Sequence, residues 1–198
     1  MTLLSLEDRS EILRYLSYRG SELTEGIEKR INDCIKAANE AALIKSTYRR
    51  FKIEEKEEGI ALMGTGVMLL GNSLKKHLNG AEEAVLFCIT LGASFDTEIE
   101  KMMVSDPASG VILNSAGITL IEKAADDLQK EIDETLPDGF HTGVRFSPGY
   151  GDLPLESQED FIRLLNTEKY LGVRLNRNML MNPLKTVTAV AGIVKDQI

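Results

Sequence analysis

Residues 83–91 read Glu83-Ala84-Val85-Leu86-Phe87-Cys88-Ile89-Thr90-Leu91, the most strand-like stretch of the sequence. Its apolar run from Ala84 to Ile89 is rich in β-branched and aromatic side chains, which favour extended backbone. Gly80 and Gly92 bound the run, and glycine is typical of the turns that end strands. The stretch therefore predicts a β-strand, around which the rest of the chain is interpreted.

On both sides of this strand, helical and strand-like periodicities follow one another in mixed order. Helices are predicted at 5–20, 22–45, 67–78, from 94 to the break at 106–107, at 108–136 and at 157–165. A hairpin is predicted at 48–63, and further strands at 141–146 and 185–193. Because the order lacks a regular strand–helix–strand rhythm, we predict an α+β rather than an α/β fold.

The composition describes one globular domain without a nucleic-acid or membrane role. The chain has 198 residues, of which 43% are hydrophobic, enough for a single core spanning residues 1–198. We expect residues 1–80 to be mostly helical. The net charge of −8 argues against nucleic-acid binding, which requires a basic face. The most apolar stretch, 84–93, is shorter than the roughly 20 residues of a membrane span. No signal peptide is recognisable, and the isolated Cys34 and Cys88 suit a reducing compartment, so we expect a cytoplasmic protein.

The segment Arg145-Phe146-Ser147-Pro148-Gly149-Tyr150 follows a predicted strand and combines a cation with a loop of unusual geometry. Arg145 can hold a carboxylate through two parallel hydrogen bonds. Gly149 lacks a Cβ, which lets a planar ligand approach the backbone, and Tyr150 offers a flat face and one hydroxyl. The residues alone leave two interpretations open, a ligand site or a turn that ends the strand beside an ordinary exposed arginine.

Other candidate sites are weaker. Glu122 and Asp126 lie one helical turn apart, a spacing typical of a solvated helix face with Lys123 and Lys130 as partners. The few histidines and cysteines are isolated from one another, so their spacing predicts no metal site. No hydrolase elbow motif is present in the sequence. These patterns give no catalytic residue.

Three stretches of the sequence, taken in their order along the chain, resemble a known family. The Arg145–Tyr150 loop is followed by Glu168-Lys169-Tyr170-Leu171-Gly172-Val173-Arg174-Leu175 and by Met179-Leu180-Met181-Asn182-Pro183-Leu184-Lys185-Thr186-Val187-Thr188-Ala189. This series resembles the activation domain of cobalamin-dependent methionine synthase, in which an R-x-x-x-G-Y loop precedes E-K-x-x-G-x-x-L and M-x-P-x-x-S/T-V-S/T. The match is specific from about residue 144 to 193, weaker but compatible from about 89 to 128, and faint before residue 89, so 81–198 is the best-matching part.

The resemblance implies a curved antiparallel β-sheet flanked by helices that binds S-adenosylmethionine. Arg145 would hold the methionine carboxylate of the ligand. The backbone at Ser147 and Gly149 and the ring of Tyr150 would contact the ligand. Glu122, in the stretch that best matches the family's E-A-x-A-E, would pair with the ligand's ammonium group. In the family a proline often follows Gly-Tyr, where this chain has Gly151.

The resemblance also implies a function. We expect a stand-alone activation subunit that supports reductive remethylation of the cobalamin of a separate methionine synthase or related corrinoid methyltransferase. Its partners would be that cobalamin-binding protein and an electron donor of the flavodoxin or ferredoxin type. The chain would not itself catalyse methionine formation. The alternative is a non-enzymatic interaction module that caps a corrinoid protein without binding S-adenosylmethionine, since a further ligand-contacting tyrosine of the family would lie beyond Ile198.

Overall fold

A computed structural model of the chain describes residues 2–20 and 23–196. A short 3₁₀ turn, Leu6–Asp8, precedes the first helix. The α-helices are α1 Arg9–Tyr15, α2 Glu25–Ala41, α3 Asn72–His77, α4 Ala93–Ser105, α5 Pro107–Asp133, α6 Ser157–Leu165 and α7 Thr167–Leu171. The β-strands are β1 Lys45–Glu55, β2 Gly59–Leu62, β3 Val67–Leu70, β4 Glu83–Thr90, β5 Phe140–Thr142, β6 Arg174–Leu175, β7 Met181–Asn182 and β8 Thr186–Lys195.

Strand β4 lies inside a six-stranded antiparallel sheet with the order β3-β2-β1-β4-β8-β5. Phe87 is opposite Tyr48 of β1 and Ala189 of β8. Every residue from Ala84 to Thr90 is buried, which confirms the strand predicted from the apolar run. The sheet curls into a half-barrel, and β6 and β7 form a separate two-stranded hairpin.

The two faces of the sheet are covered by different helices. Alternate side chains of β4, including Phe87, join a core with α1, α2, α4 and α5. The intervening ones, including Leu86, join a second core with α3, α6, α7 and the inner residues of β1–β3. Strand β4 is thus covered on both faces, by helices on the first and by α3, α6, α7 and the inner residues of β1–β3 on the second. A strand buried on both faces must be apolar on both, and this is why the apolar run 84–89 is continuous.

Helix α5 crosses the first face and positions the functional site. Its start follows the predicted break, because the Asp106 side chain accepts a hydrogen bond from the Ser109 N–H and Pro107 occupies the first turn. Arg30 of α2 donates to the same carboxylate at 2.7 Å. The helix predicted at 108–136 is thus confirmed, with the described end at Asp133.

Several sequence predictions are wrong in part. The helix predicted at 5–20 ends at Tyr15, and the strand predicted at 141–146 ends at Thr142, with an isolated bridge from Phe146 to Val190 beyond it. Residues 1–80, expected to be mostly helical, also contain the strands β1, β2 and β3.

The helix predicted at 67–78 exists only from Asn72, because Val67–Leu70 forms β3 and pairs with β2. In the structure buried Val67 and Leu69 alternate with exposed Met68 and Leu70, which is the period of a strand. All four residues are apolar, so over so short a run the sequence fits a helix equally well.

The helix predicted at 22–45 ends at Ala41, and Lys45 opens β1. Glu22, its predicted first residue, lies outside the described residues. The sequence interpretation also missed α7, β6 and β7, which are only two to five residues long.

Candidate functional site

A cavity of about 470 Å³ opens beside the first residues of β8. Strand β5 and the residues after it pair with β8 from Lys195 back to Val190, so among the described residues the edge of β8 at Thr186–Thr188 has no neighbouring strand on that side. The cavity is lined by Glu122, Arg145, Phe146, Ser147, Pro148, Tyr150, Leu155, Gln158, Met179, Leu180, Met181, Leu184, Thr186, Val187 and Thr188. It therefore lies where the sheet stops and α5, the loop after Arg145 and the β6–β7 hairpin meet.

The segment that carries Arg145 is fixed to the sheet. The Gly143 N–H donates to the Gly192 carbonyl, and Phe146 and Val190 exchange two backbone hydrogen bonds of 2.8 and 2.9 Å. Successive side chains of an extended segment point to opposite sides. Phe146 packs with the core of the second face, and Arg145 extends to α5.

Arg145 contacts three side chains of α5. Its Nη1 donates to Asp126 at 2.5 Å and to Gln129 at 3.0 Å, and its Nη2 donates to Glu122 at 2.6 Å. Burial acts to lower the pKa of Arg145, but the hydrogen bonds to Asp126 and Glu122 outweigh it and raise the pKa above the ordinary value. The acidic pair of α5 is thus partnered by Arg145, and the expectation that Lys123 or Lys130 would neutralise it is wrong, since these lysines bind other acids.

These contacts leave Arg145 able to bind a ligand. A guanidinium has five N–H donors, of which three are used by acceptors within the described residues, so two remain. Two is the number that a carboxylate accepts in a bidentate pair. Asp126 and Gln129 both bind Nη1 and thereby hold the side chain in place. The site combines a fixed cation with two adjacent carboxylates.

The loop from Ser147 to Leu153 is held by its own backbone. The Gly149 N–H donates to the Leu153 carbonyl at 3.0 Å, and the Tyr150 N–H donates to the Ser147 carbonyl at 3.2 Å. Gly149 has a φ of +88°, a conformation that side chains with a Cβ rarely adopt. Its contribution is therefore the shape of the turn, and it does not line the cavity.

Four of the five residues predicted from the sequence surround this one cavity, namely Glu122, Arg145, Ser147 and Tyr150. Tyr150 lies at the mouth, with 69% of its surface exposed. Their roles in ligand binding stay predictions.

Sequence reasoning missed the floor and part of the rim of the cavity. Gln158 of α6 is 3% exposed and donates to the Thr188 hydroxyl at 2.6 Å and to the Met181 sulfur at 3.1 Å. Leu180 and Leu184 also line the cavity and are exposed. Thr188, Met181, Leu180 and Leu184 fall within the stretch 179–189 that carries the resemblance, and in the sequence only that resemblance pointed to these four residues. Gln158 lies outside that stretch.

Residues 2–20 and 23–196 contain no group of three or more His, Cys, Asp or Glu side chains arranged to hold a metal ion. Within the same ranges, no helix combines the length and the apolar character needed to cross a membrane.

Comparison with solved structures shows a likeness of fold. The chain is similar to the crystal structure of the MetH reactivation domain bound to AdoHcy, with a TM-score of 0.69 and 16% sequence identity over 98% of this chain and 78% of that chain. No protein-family model and no curated protein sequence matches. The curved antiparallel sheet with flanking helices, predicted from the resemblance to the activation domain of cobalamin-dependent methionine synthase, is thereby confirmed, and the chain has the fold of that reactivation domain.

Proposed function

We propose that the protein binds S-adenosylmethionine in the cavity beside Arg145 and supports reductive remethylation of the cobalamin of a separate methionine synthase or related corrinoid methyltransferase. The observation that carries the proposal is the charged end of the cavity. Arg145 there has two unused donors next to Glu122, in a fold similar to that of the MetH reactivation domain, which was solved bound to AdoHcy.

The charges of the cavity suit this ligand. The methionine end of S-adenosylmethionine carries a carboxylate and an ammonium group, which match Arg145 and Glu122 respectively. The sulfonium gives the ligand a net charge of +1. Arg145 and Glu122 line the cavity, and Asp126 bonds Arg145 beside it; the three together sum to −1, so the field near the cavity favours a ligand with a net positive charge. Apolar side chains of the rim and the ring of Tyr150 offer surface for the adenosine.

The mouth of the cavity supports a role beside a partner protein. Four apolar side chains around it, Tyr150, Leu155, Leu180 and Leu184, are exposed. Exposed apolar groups that ring a cavity mark interaction surfaces. Reactivation would require one electron from a flavodoxin- or ferredoxin-type donor to reduce the cobalt of the partner's cobalamin, and a methyl group from S-adenosylmethionine, which would leave as S-adenosylhomocysteine. The chain's own contribution is orientation of the methyl donor.

Calorimetry with S-adenosylmethionine and S-adenosylhomocysteine tests the ligand, using the wild type and Arg145→Ala. Arg163→Ala is the matched control, because Arg163 pairs with Asp160 on α6 and does not line the cavity. We expect saturable heat with the wild type and the control and a large loss with Arg145→Ala. Absence of heat with the wild type, both with and without a cobalamin protein, would remove the ligand from the proposal.

The alternative function is an interaction module that caps a corrinoid protein without S-adenosylmethionine. The observation in its favour is that Arg145 already binds three side chains of the protein itself. Co-purification with a cobalamin protein, unchanged by S-adenosylmethionine and by Arg145→Ala, would favour this alternative. A complex strengthened by the ligand supports the main proposal.

A further inference from the structure

The loop after Arg145 is fastened to the short helix α3 by one carboxylate. Asp152 Oδ2 accepts a hydrogen bond from the Asn72 N–H at 2.8 Å, and Oδ1 accepts one from the Ser73 N–H at 2.9 Å. These are the first two amides of α3, which lack partners inside the helix. The bond from Ser73 is the largest cause that lowers the pKa of Asp152; burial opposes it, and the bond from Asn72 adds to it.

The contact between loop and helix is too close for side chains on either side. A Cβ placed on Gly71 would lie 2.6 Å from Asp152 Oδ1 and 2.8 Å from the Asp152 carbonyl oxygen. A Cβ placed on Gly151 would lie 2.9 Å from the Ser73 Cβ. Gly151 and Gly71 also have φ values of +55° and +117°. Both glycines are therefore required by the same contact, which explains why Gly151 follows Tyr150 in this chain.

The other end of α3 contacts the segment before the loop. His77 Nε2 contacts the Val144 carbonyl oxygen, and its ring lies 5.0 Å from the ring of Phe146. Val144 and Phe146 flank Arg145 in the chain. Helix α3 thus contacts the segment 144–152 at both ends, on the side away from α5.

We propose that Asp152 is a positioning residue, which holds the loop from Ser147 to Leu153 on α3 so that Ser147 and Tyr150 face the cavity. This inference rests on the proposed function. A loop that is ordered in only a fraction of molecules reduces the apparent affinity by that fraction. If loss of the Asp152 carboxylate leaves about one molecule in ten with an ordered loop, the Kd rises about tenfold.

Two variants test the contact from its two sides. Asp152→Ala removes both acceptors, and Asn72→Pro removes one donor. Proline suits this position, because Asn72 is the first residue of α3 and Gly71 before it has a ψ of 140°. Glu156→Ala is the matched control, since Glu156 is an exposed acid at the start of α6 whose side chain makes no capping bond.

Calorimetry with S-adenosylmethionine gives the main readout. We expect the Kd to rise at least tenfold in Asp152→Ala, about threefold in Asn72→Pro and not at all in Glu156→Ala. The double variant should bind no more weakly than Asp152→Ala alone, because the missing Asn72 N–H has no acceptor left to lose. Asp152→Asn, which keeps one oxygen acceptor, should recover part of the affinity. Additive losses in the double variant, or an unchanged Kd in Asp152→Ala, overturn the inference.

Amide hydrogen exchange in the ligand-free protein separates this inference from the proposed function. The N–H groups of Gly149 and Leu153 are bonded within the loop and should exchange faster in Asp152→Ala, while those of β4 keep their protection. A wild type that binds no S-adenosylmethionine overturns the proposed function, whereas unchanged exchange at Gly149 and Leu153 overturns the role of Asp152.

Discussion

Replacement of Arg145 by lysine keeps the positive charge of the site and removes its geometry. The guanidinium has two donors left after binding Asp126, Gln129 and Glu122. A lysine ammonium has three donors on a single nitrogen, and the two carboxylates of α5 compete for them. A bidentate pair with the ligand's carboxylate is then impossible. We expect Arg145→Lys to bind S-adenosylmethionine more weakly than the wild type.

The magnitude follows from the number of bonds lost and the exposure of the site. The Arg145 side chain is 22% exposed, so solvent screens its interactions only in part. At least one hydrogen bond to a charged group is lost, which corresponds to about 1.5–3 kcal/mol. The Kd should therefore rise about 10- to 150-fold, since each 1.4 kcal/mol is a factor of ten.

Titration calorimetry measures this loss, with controls on both partners. Decarboxylated S-adenosylmethionine lacks the carboxylate, so its Kd should be the same for the wild type and Arg145→Lys. Arg163→Lys on α6, which changes an arginine paired with Asp160 outside the cavity, should leave both affinities unchanged.

Two results would refute the reasoning. Equal Kd values for S-adenosylmethionine in the wild type and Arg145→Lys would show that Arg145 does not hold the carboxylate. Equal losses for the ligand with and without its carboxylate would show that the variant damages the site as a whole.

Three further predictions concern side chains around the site and the core. Glu122→Gln should raise the Kd for S-adenosylmethionine about two- to fivefold, the range of a partly exposed ion pair. The Kd for 5′-methylthioadenosine, which lacks the ammonium group, should stay unchanged, and competition binding measures both values. Gln158→Leu leaves the buried Thr188 hydroxyl without its partner and should lower the free energy of unfolding in urea by about 1–3 kcal/mol. Adding Thr188→Val removes that hydroxyl and should restore part of the lost stability. A double variant no more stable than Gln158→Leu would contradict the role of this hydrogen bond. Burial acts to raise the pKa of Asp8, but hydrogen bonds from Lys123 and Ser5 lower it overall, so its stabilisation is present above the unfolded value of about 3.9 and is lost as pH falls through the folded pKa. Urea unfolding of Asp8→Asn should therefore show a weaker acid dependence than the wild type, and identical pH profiles contradict this.

The sequence predicted the strongest elements of the fold from local pattern alone. The continuous apolar run of β4 and the long apolar stripe of α5 are fixed by side chains within each segment, and both were found in the structure. Strand β3 was misread, because four apolar residues fit the strand period and the helix period equally well. Its pairing with β2, a contact from another segment, decides its conformation.

The candidate site divides in the same way. The residues alone pointed to Arg145, Gly149 and Tyr150, since a cation beside a Pro-Gly turn is visible within six residues of chain, and the resemblance added Ser147 and Glu122; of these five, Gly149 does not line the cavity. It could not show that Glu122 and Asp126 bind Arg145, that Gln158 forms the floor, or that Asp152 holds the loop on α3. Each of those contacts joins residues 19 or more positions apart, and their distances depend on how the sheet curls and where α3, α5 and α6 pack on it. The chain itself thus determined which chemical groups are available, and the tertiary structure alone decided which of them meet, because a hydrogen bond requires a separation of about 3 Å that only packing can bring about.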